Sequence, residues 1–264
     1  MAGHGKIEKL LDKARETLRR EPRLIELDKG RVVFVGDTHG DFEATVEVVR
    51  RYFQPGCTLV FLGDYVDRGP ASLQNVNFLL EHKIAHPDCF YLLMGNHEGY
   101  AVESFHPADF WESLDAELRR QYAEVLRLLP LVVSASNGLV ALHGVLPRVP
   151  ALRDVNRIEL GSEEWHQITW GDWREEKGGF LGIDSYTGRP QFGEGWFEQV
   201  MSCWGKRVLV RSHQPDAPPV IYNRRCLTIF TSSAYRHYIA ERTIAWVDLE
   251  KEVWSTDDVH LERV

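Results

Sequence analysis

The chain has 264 residues, 44% of them hydrophobic and 27% charged, which excludes a disordered or collagen-like polypeptide and leaves enough length to bury a core without disulfide staples. Its formal net charge is −8, from 31 basic and 39 acidic residues. That balance argues against nucleic acid and anionic membrane as partners, since both select basic patches.

Apolar runs such as Thr58–Leu62 and Leu131–Val133 are far too short to span a bilayer. The N-terminal stretch MAGHGKIEKLLDKARETLRR is charged and has no signal-type apolar core, so the chain reads as cytoplasmic. Cys57, Cys89, Cys203 and Cys226 form no C-x-x-C pair and are expected to be reduced, mostly buried thiols.

Ile7, Leu10, Leu11, Ala14 and Leu18 recur at helical spacing, which predicts a helix over 6–20 that Pro22 ends. Leu24–Leu27 then reads as a short strand. The β-branched run RVVFV (31–35) predicts a strand buried on both faces, followed by the polar segment GDTHGD (36–41). Phe42, Val46, Val49 and Phe53 predict the buried face of the next helix. The cycle repeats with TLVFL (58–62), GDYVDRGP (63–70) and a helix facing inward through Leu73, Val76, Leu80 and Ile84. A third strand, CFYLL (89–93), leads into GNHE (95–98). Strand–loop–helix in series predicts parallel strands, whose polar loops gather at the carboxyl ends where α/β sheets place ligands.

Leu131–Ala135 and Leu139–Leu142 flank Asn137-Gly138 and predict a hairpin. Residues 171–195 contain seven glycines and read as a long, loop-rich excursion. RVLV (207–210) is a further strand, and IYN, CLTIFTS, YIA, TIAWVDL and EVWST read as short strands after Val220. No linker or repeat divides the chain. It is expected to be one domain over 1–264, with a helix over 1–21, a core over 22–240 and C-terminal strands over 241–264.

Five strand ends carry metal-capable side chains: Asp37 and His39, Asp64, Asn96 and His97, His143, and His213. A single Asp or His after a strand is ordinarily a cap or turn residue. Five in succession are hard to obtain from turn chemistry alone, and the thiolate-free N/O set suits Mn, Fe or Zn. Gly36, Gly40, Gly63, Gly69 and Gly95 would let the backbone approach an ion closely.

These motifs, GDTHGD, GDYVDRG, GNHE, LHG and R-S-H, resemble in order and spacing the PPP family of metal-dependent serine/threonine phosphoprotein phosphatases, within the calcineurin-like metallophosphoesterases. The spacings are 27 residues from Asp37 to Asp64, then 32 to Asn96, 47 to His143 and 70 to His213. The resemblance implies an α/β fold: a β-sandwich flanked by helices on both sides, in four layers α/β/β/α, with a dinuclear metal site at the strand ends. It implies one metal on Asp37, His39 and Asp64 and a second on Asp64, Asn96, His143 and His213. Asp64 would bridge by offering two oxygens. The metals would be two divalent ions, Mn first, with Fe or Zn as alternatives.

The resemblance further implies that hydroxide activated by the two ions attacks phosphorus in line. His97 would be the general acid, Asp67 its orienting carboxylate, and Arg68 a phosphate clamp in the reacting centre. Arg189, in TGRPQFG, and Tyr235, in IFTSSAY, match further phosphate-binding positions. Phosphorylated proteins or peptides are the implied substrates; the alternative is hydrolysis of small phosphoanhydrides such as diadenosine polyphosphates. Met94, Val145 and Ser233-Ala234 depart from the family pattern without removing a ligand. The acidic balance and short C-terminal tail resemble a prokaryotic single-domain member. Trp170 and Trp173 are expected to pack in the core.

Overall fold

The computed structural model describes residues 2–238 and 241–264. In chain order the elements are α1 (Ala2–Leu18), β1 (Leu24–Leu27), β2 (Arg31–Val35), α2 (Phe42–Tyr52), β3 (Cys57–Phe61), α3 (Ser72–Ala85) and β4 (Phe90–Leu92). Then come α4 (Asp109–Ser113), α5 (Ala116–Leu126), β5 (Val132–Ala135), β6 (Leu139–Leu142) and α6 (Glu163–Trp170). The last third holds β7 (Asp172–Trp173), β8 (Phe180–Ile183), β9 (Pro190–Phe192), α7 (Glu194–Trp204), β10 (Val208–Arg211), β11 (Val220–Ile221), β12 (Cys226–Thr228), β13 (Thr243–Asp248) and β14 (His260–Arg263).

Two sheets carry the fold, ordered β14-β13-β2-β3-β4 and β1-β5-β6-β10-β12-β11. The period-two alternation of strand side chains explains how they stack. Val32, Phe34, Val60 and Leu62 from one sheet meet Val133, Ala141, Val208 and Val210 from the other in a single apolar layer. The intervening residues Val33, Val35, Leu59 and Phe61 face outward, into a cluster with Leu11, Leu18, Val76 and Leu79 of the helices. Val140, Leu142 and Leu209 belong to the same outer cluster, with Phe197, Val200 and Trp204 of α7. This is the expected helix-flanked sandwich.

Strands β2, β3 and β4 are parallel, as the repeated cycle predicts, and β5 and β6 form the Asn-Gly hairpin, with Gly138 at φ +98°. Strands β6 and β10 run parallel, so His143 and His213 both follow carboxyl ends of strands at the same end of the sheet. The two sheets are tied together at that end: Asp37 N–H donates to Ser212 Oγ (2.8 Å), Gly36 N–H to Thr231 Oγ1 (2.9 Å) and Thr231 N–H to the Asp37 carbonyl (3.1 Å).

Several expectations are corrected. Helix α1 ends at Leu18, four residues before Pro22, so the proline bars its continuation rather than ending it. The buried face of α2 is Ala44, Thr45, Val48 and Val49, rotated from the expected one because the Asp41 carboxylate caps the helix at Ala44 N–H and fixes its orientation. On α3, Leu73 is exposed and Asn75 and Lys83 are buried. The 171–195 excursion is loop-rich, as expected, but also carries three short strands, β7, β9 and β8, that form a third sheet. EVWST is not a strand; Trp254 lies against the Arg207 guanidinium (4.1 Å to the ring centroid), and a short 3-10 turn follows at Thr256–Asp258. Strand β14, whose polar HLER gives no strand signal, forms by pairing with the β13 edge. Of YIA, Ile239 and Ala240 lie outside the described residues. Only Cys226 among the free cysteines is buried; Cys203 is exposed. Among the described residues no helix is long and apolar enough to cross a membrane.

Candidate metal centre

The loops after β2, β3, β4, β6 and β10 meet at the sandwich end, and Asp37, His39, Asp64, Asn96, His97, His143 and His213 are all buried there. His39, Asp64, Asp67, Arg68 and His213 have φ between +43° and +73°, a left-handed backbone that non-glycine residues adopt at a cost of about 1–3 kcal/mol each. The surroundings hold that conformation. Glu98 accepts the amides of Asp64 (2.8 Å), Tyr65 (2.8 Å) and Gly95 (3.0 Å), clamping the DYVDRG loop to the GNHE loop. Asn75 Nδ2 donates to Thr38 Oγ1 (2.9 Å) and to the Tyr65 carbonyl (2.8 Å). Burial and the Asp64 charge push Glu98 up to about 7.

The imidazoles are oriented by the backbone. His39 Nδ1 pairs with the Val66 carbonyl (2.9 Å) and His143 Nδ1 with that of Leu62 (2.9 Å). A carbonyl accepts only from N–H, so each Nε2 of the neutral ring presents a lone pair. His39 Nε2 lies 3.5 Å from Asp37 Oδ2 and 3.6 Å from Asp64 Oδ2. His143 Nε2 lies 3.4 Å from Asp64 Oδ2, 3.2 Å from Asn96 Oδ1 and 3.1 Å from His213 Nδ1. Asp64 thus faces both groups with one oxygen, Oδ2, because Oδ1 accepts the His97 amide (3.0 Å).

Asp37 Oδ2 and His39 Nε2 are buried without a hydrogen-bond partner. Unpaired buried acceptors of this kind are costly in an apolar interior. Their convergence, together with the N/O chemistry of the set, fits divalent cations. His39, Asp64 and His97 form one compact donor group and Asp64, His143 and His213 a second. Burial pushes Asp64 up, but His143, His97 and His39 outweigh it and hold the carboxyl well below its usual range. Burial lowers His213 well below its ordinary value, aided by Arg189 and His143, so this ring is a neutral donor.

Beside this centre, His97 Nδ1 pairs with Asp67 Oδ2 (2.6 Å) while Asp67 Oδ1 accepts the Phe110 amide (2.7 Å). Burial lowers the His97 pKa against the opposing influence of Asp64 and Asp67. Asp67 makes no ion pair with Arg68, whose side chain is exposed. Tyr235 meets the edge of His39 (ring centroids 5.2 Å apart), and Arg189 Nη1 lies 3.5 Å from Asp172 Oδ1. Asp172 in turn lies 3.5 Å from His213 Nε2. The structure therefore gathers Asp37, His39, Asp64, Asp67, Asn96, His97, His143, Arg189, His213 and Tyr235 in one locality, while the exposed Arg68 is placed only by its backbone, next to Asp67.

It adds residues that the sequence reading does not single out. Asp172 lies in ITWGDW between two noted tryptophans; Glu98 closes GNHE. Phe105 packs against His97 (4.6 Å) and Trp170 (5.5 Å), making a wall of the site. Trp173 is core, as expected, whereas Trp170 is partly exposed beside Arg189 (5.9 Å). The glycines stand in close loop-to-loop contact. A Cβ on Gly95 would stand 2.2 Å from Asp64 Oδ1 and 2.6 Å from its amide nitrogen. Gly95→Ala is therefore expected to displace Asp64, cost about 1–3 kcal/mol, and lower metal content as well as Tm; calorimetry and elemental analysis check both.

A two-sheet sandwich whose strand ends converge buried Asp, His and Asn side chains defines a metallophosphoesterase. The calcineurin-like phosphoesterase family matches residues 30–217, and the chain belongs to that family. It is 25% identical over 268 residues to a serine/threonine-protein phosphatase of Caenorhabditis elegans, covering 91% of this chain and 57% of the relative. It is 30% identical over 224 residues to a "Probable serine/threonine-protein phosphatase" of Encephalitozoon cuniculi, covering 78% and 48%. The chain thus spans about half the length of the curated relatives it matches. Its fold superposes, with TM-score 0.82 and 22% identity, on a Saccharomyces cerevisiae protein serine/threonine phosphatase described as similar to human phosphatase PP5, covering 98% of this chain and 89% of that one.

Proposed function

We propose that the chain is a phosphatase catalytic domain that hydrolyses phosphoserine and phosphothreonine monoesters in proteins, with two divalent ions, Mn first, as cofactor. The observation that carries this reading is the pair of buried donor groups sharing Asp64, with an Asp-oriented histidine beside them. Asp37, His39 and Asp64 would hold one ion and Asp64, Asn96, His143 and His213 the other. Bound there, divalent cations supply positive charge to phosphoryl oxygens and lower the pKa of water into the neutral range.

The chain's own residues do the rest. Asp67, fixed by the Phe110 amide, holds His97 in the tautomer that carries its proton on Nδ1 and favours the imidazolium. As the imidazolium, with a second proton on Nε2, His97 would give that proton to the leaving alkoxide of serine or threonine and return to the Nδ1–H tautomer. Arg68 offers a planar fork that binds two phosphoryl oxygens, a geometry lysine lacks. Arg189, beside Asp172, and Tyr235, beside His39, would add phosphate contacts, and Phe105 with Trp170 would wall one side. The names of the two sequence relatives support a phosphoprotein as substrate.

Phosphate release from a phosphoserine peptide, compared with cleavage of a dinucleoside tetraphosphate at matched Mn concentration, tests the reading. The peptide is expected to be the better substrate, and chelator is expected to abolish turnover. Preference for the dinucleotide would overturn it.

A further inference from the structure

Away from the metal centre, the C-terminal ends of α1 and α5 enclose a cavity of about 330 Å³. Arg15, Arg19, Arg23 and Arg127 line it, with Glu124 as the one lining carboxylate. In a chain of net charge −8, four guanidiniums around one small space stand out. Arg15 is paired, with Glu124 (2.9 Å) and Asp12 (3.2 Å). Glu124 is shared further with Arg120. Arg19, Arg23 and Arg127 have no ion-pair partner among the described residues.

Helix C-termini attract cations, and that accounts for Arg19 and Arg127, which flank the last turns of α1 and α5. It does not account for Arg23, which belongs to neither helix. Its carbonyl accepts the amides of Leu131 (2.8 Å) and Val132 (3.1 Å), which fixes the residue at the start of β1. Its Nη1 is buried without a hydrogen-bond partner, as is Arg15 Nε. Burial, and then the nearby charge of Arg127, lower the Arg23 pKa. Like charges gathered around unpaired N–H donors are costly until an anion joins them. The planar forks of arginine match the oxygens of a tetrahedral oxyanion.

We propose that the cavity between α1 and α5 lined by Arg15, Arg19, Arg23 and Arg127 is a binding site for inorganic phosphate, separate from the metal centre. The assignment does not depend on the proposed activity. Glu124 lets Arg15 keep a neutral pairing, so the bound anion answers the other three arginines.

The test uses chelator-treated full-length protein and inorganic phosphate as the probe, with sodium chloride at equal ionic strength as the reference. Wild-type Tm is expected to rise by about 3–6 °C at ten times the dissociation constant. Arg19→Gln/Arg127→Gln, which changes two exposed side chains, is expected to lose that rise. Its Tm in chloride serves as the reference for its own response to phosphate. Arg68→Ala, at the metal centre, should keep the rise. The proposal is overturned if phosphate acts no better than chloride, or if the double variant keeps the rise. Loss of the rise in Arg68→Ala would assign the effect to the metal centre and also overturn it.

Discussion

His97→Ala is expected to lower kcat toward a phosphoserine peptide by about 10²–10⁴-fold while leaving metal content at the wild-type level. The two halves of that result separate two roles the geometry permits. His97 sits with His39 and Asp64 in one of the compact donor groups, its Nε2 3.9 Å from Asp64 Oδ2. A ligand role would make metal content fall with the imidazole. The general-acid role leaves it unchanged, because His39, Asp37 and Asp64 remain. The Asp67 contact argues for the second role: the 2.6 Å bond fixes Nδ1 and aims Nε2 at the pocket. Turnover at the wild-type level in His97→Ala, with peptide as substrate, would remove the assignment.

Asp64→Asn should lower metal content at both positions, with affinity falling by at least the roughly 10–100-fold seen when supporting groups around a metal are lost. Asp64 Oδ2 is the one oxygen near both His39 Nε2 (3.6 Å) and His143 Nε2 (3.4 Å). An amide there has no charge, and its nitrogen offers no lone pair. His39→Ala makes the contrast: it should empty one position and spare the group around His143. Elemental analysis of the purified variants reads the difference. Two metals per chain in Asp64→Asn would contradict a shared ligand.

Much of this was legible in the residues because the local signals agree. The β-branched runs of β2 and β3 admit few other conformations, and Asn137-Gly138, in the three-residue loop 136–138, marks the hairpin. The convergence of Asp, His and Asn was legible because each stands just after a strand. What local reading missed depends on contacts distant in sequence. Phe110, on α4, reaches Asp67 across 43 residues. Asp172 acquires meaning only when β7 sets it beside His213 and Arg189. The glycine-rich 171–195 stretch looked like loop because two-, three- and four-residue strands leave no periodicity to detect. The orientation of α2 followed a cap, Asp41, which also accepts the Ser233 amide (2.8 Å) from the far end of the chain. Met94, a departure from the family pattern, is buried and receives the Trp165 indole N–H at its sulfur (3.2 Å), a packing role its position in the motif does not disclose.

The account rests on two cation positions meeting at one aspartate. Anomalous diffraction from crystals grown with Mn tests it most directly. The expected map has two peaks per chain, both within ligand distance of Asp64, one beside His39 and the other beside His143 and His213. A single peak, or peaks that do not touch Asp64, would contradict it.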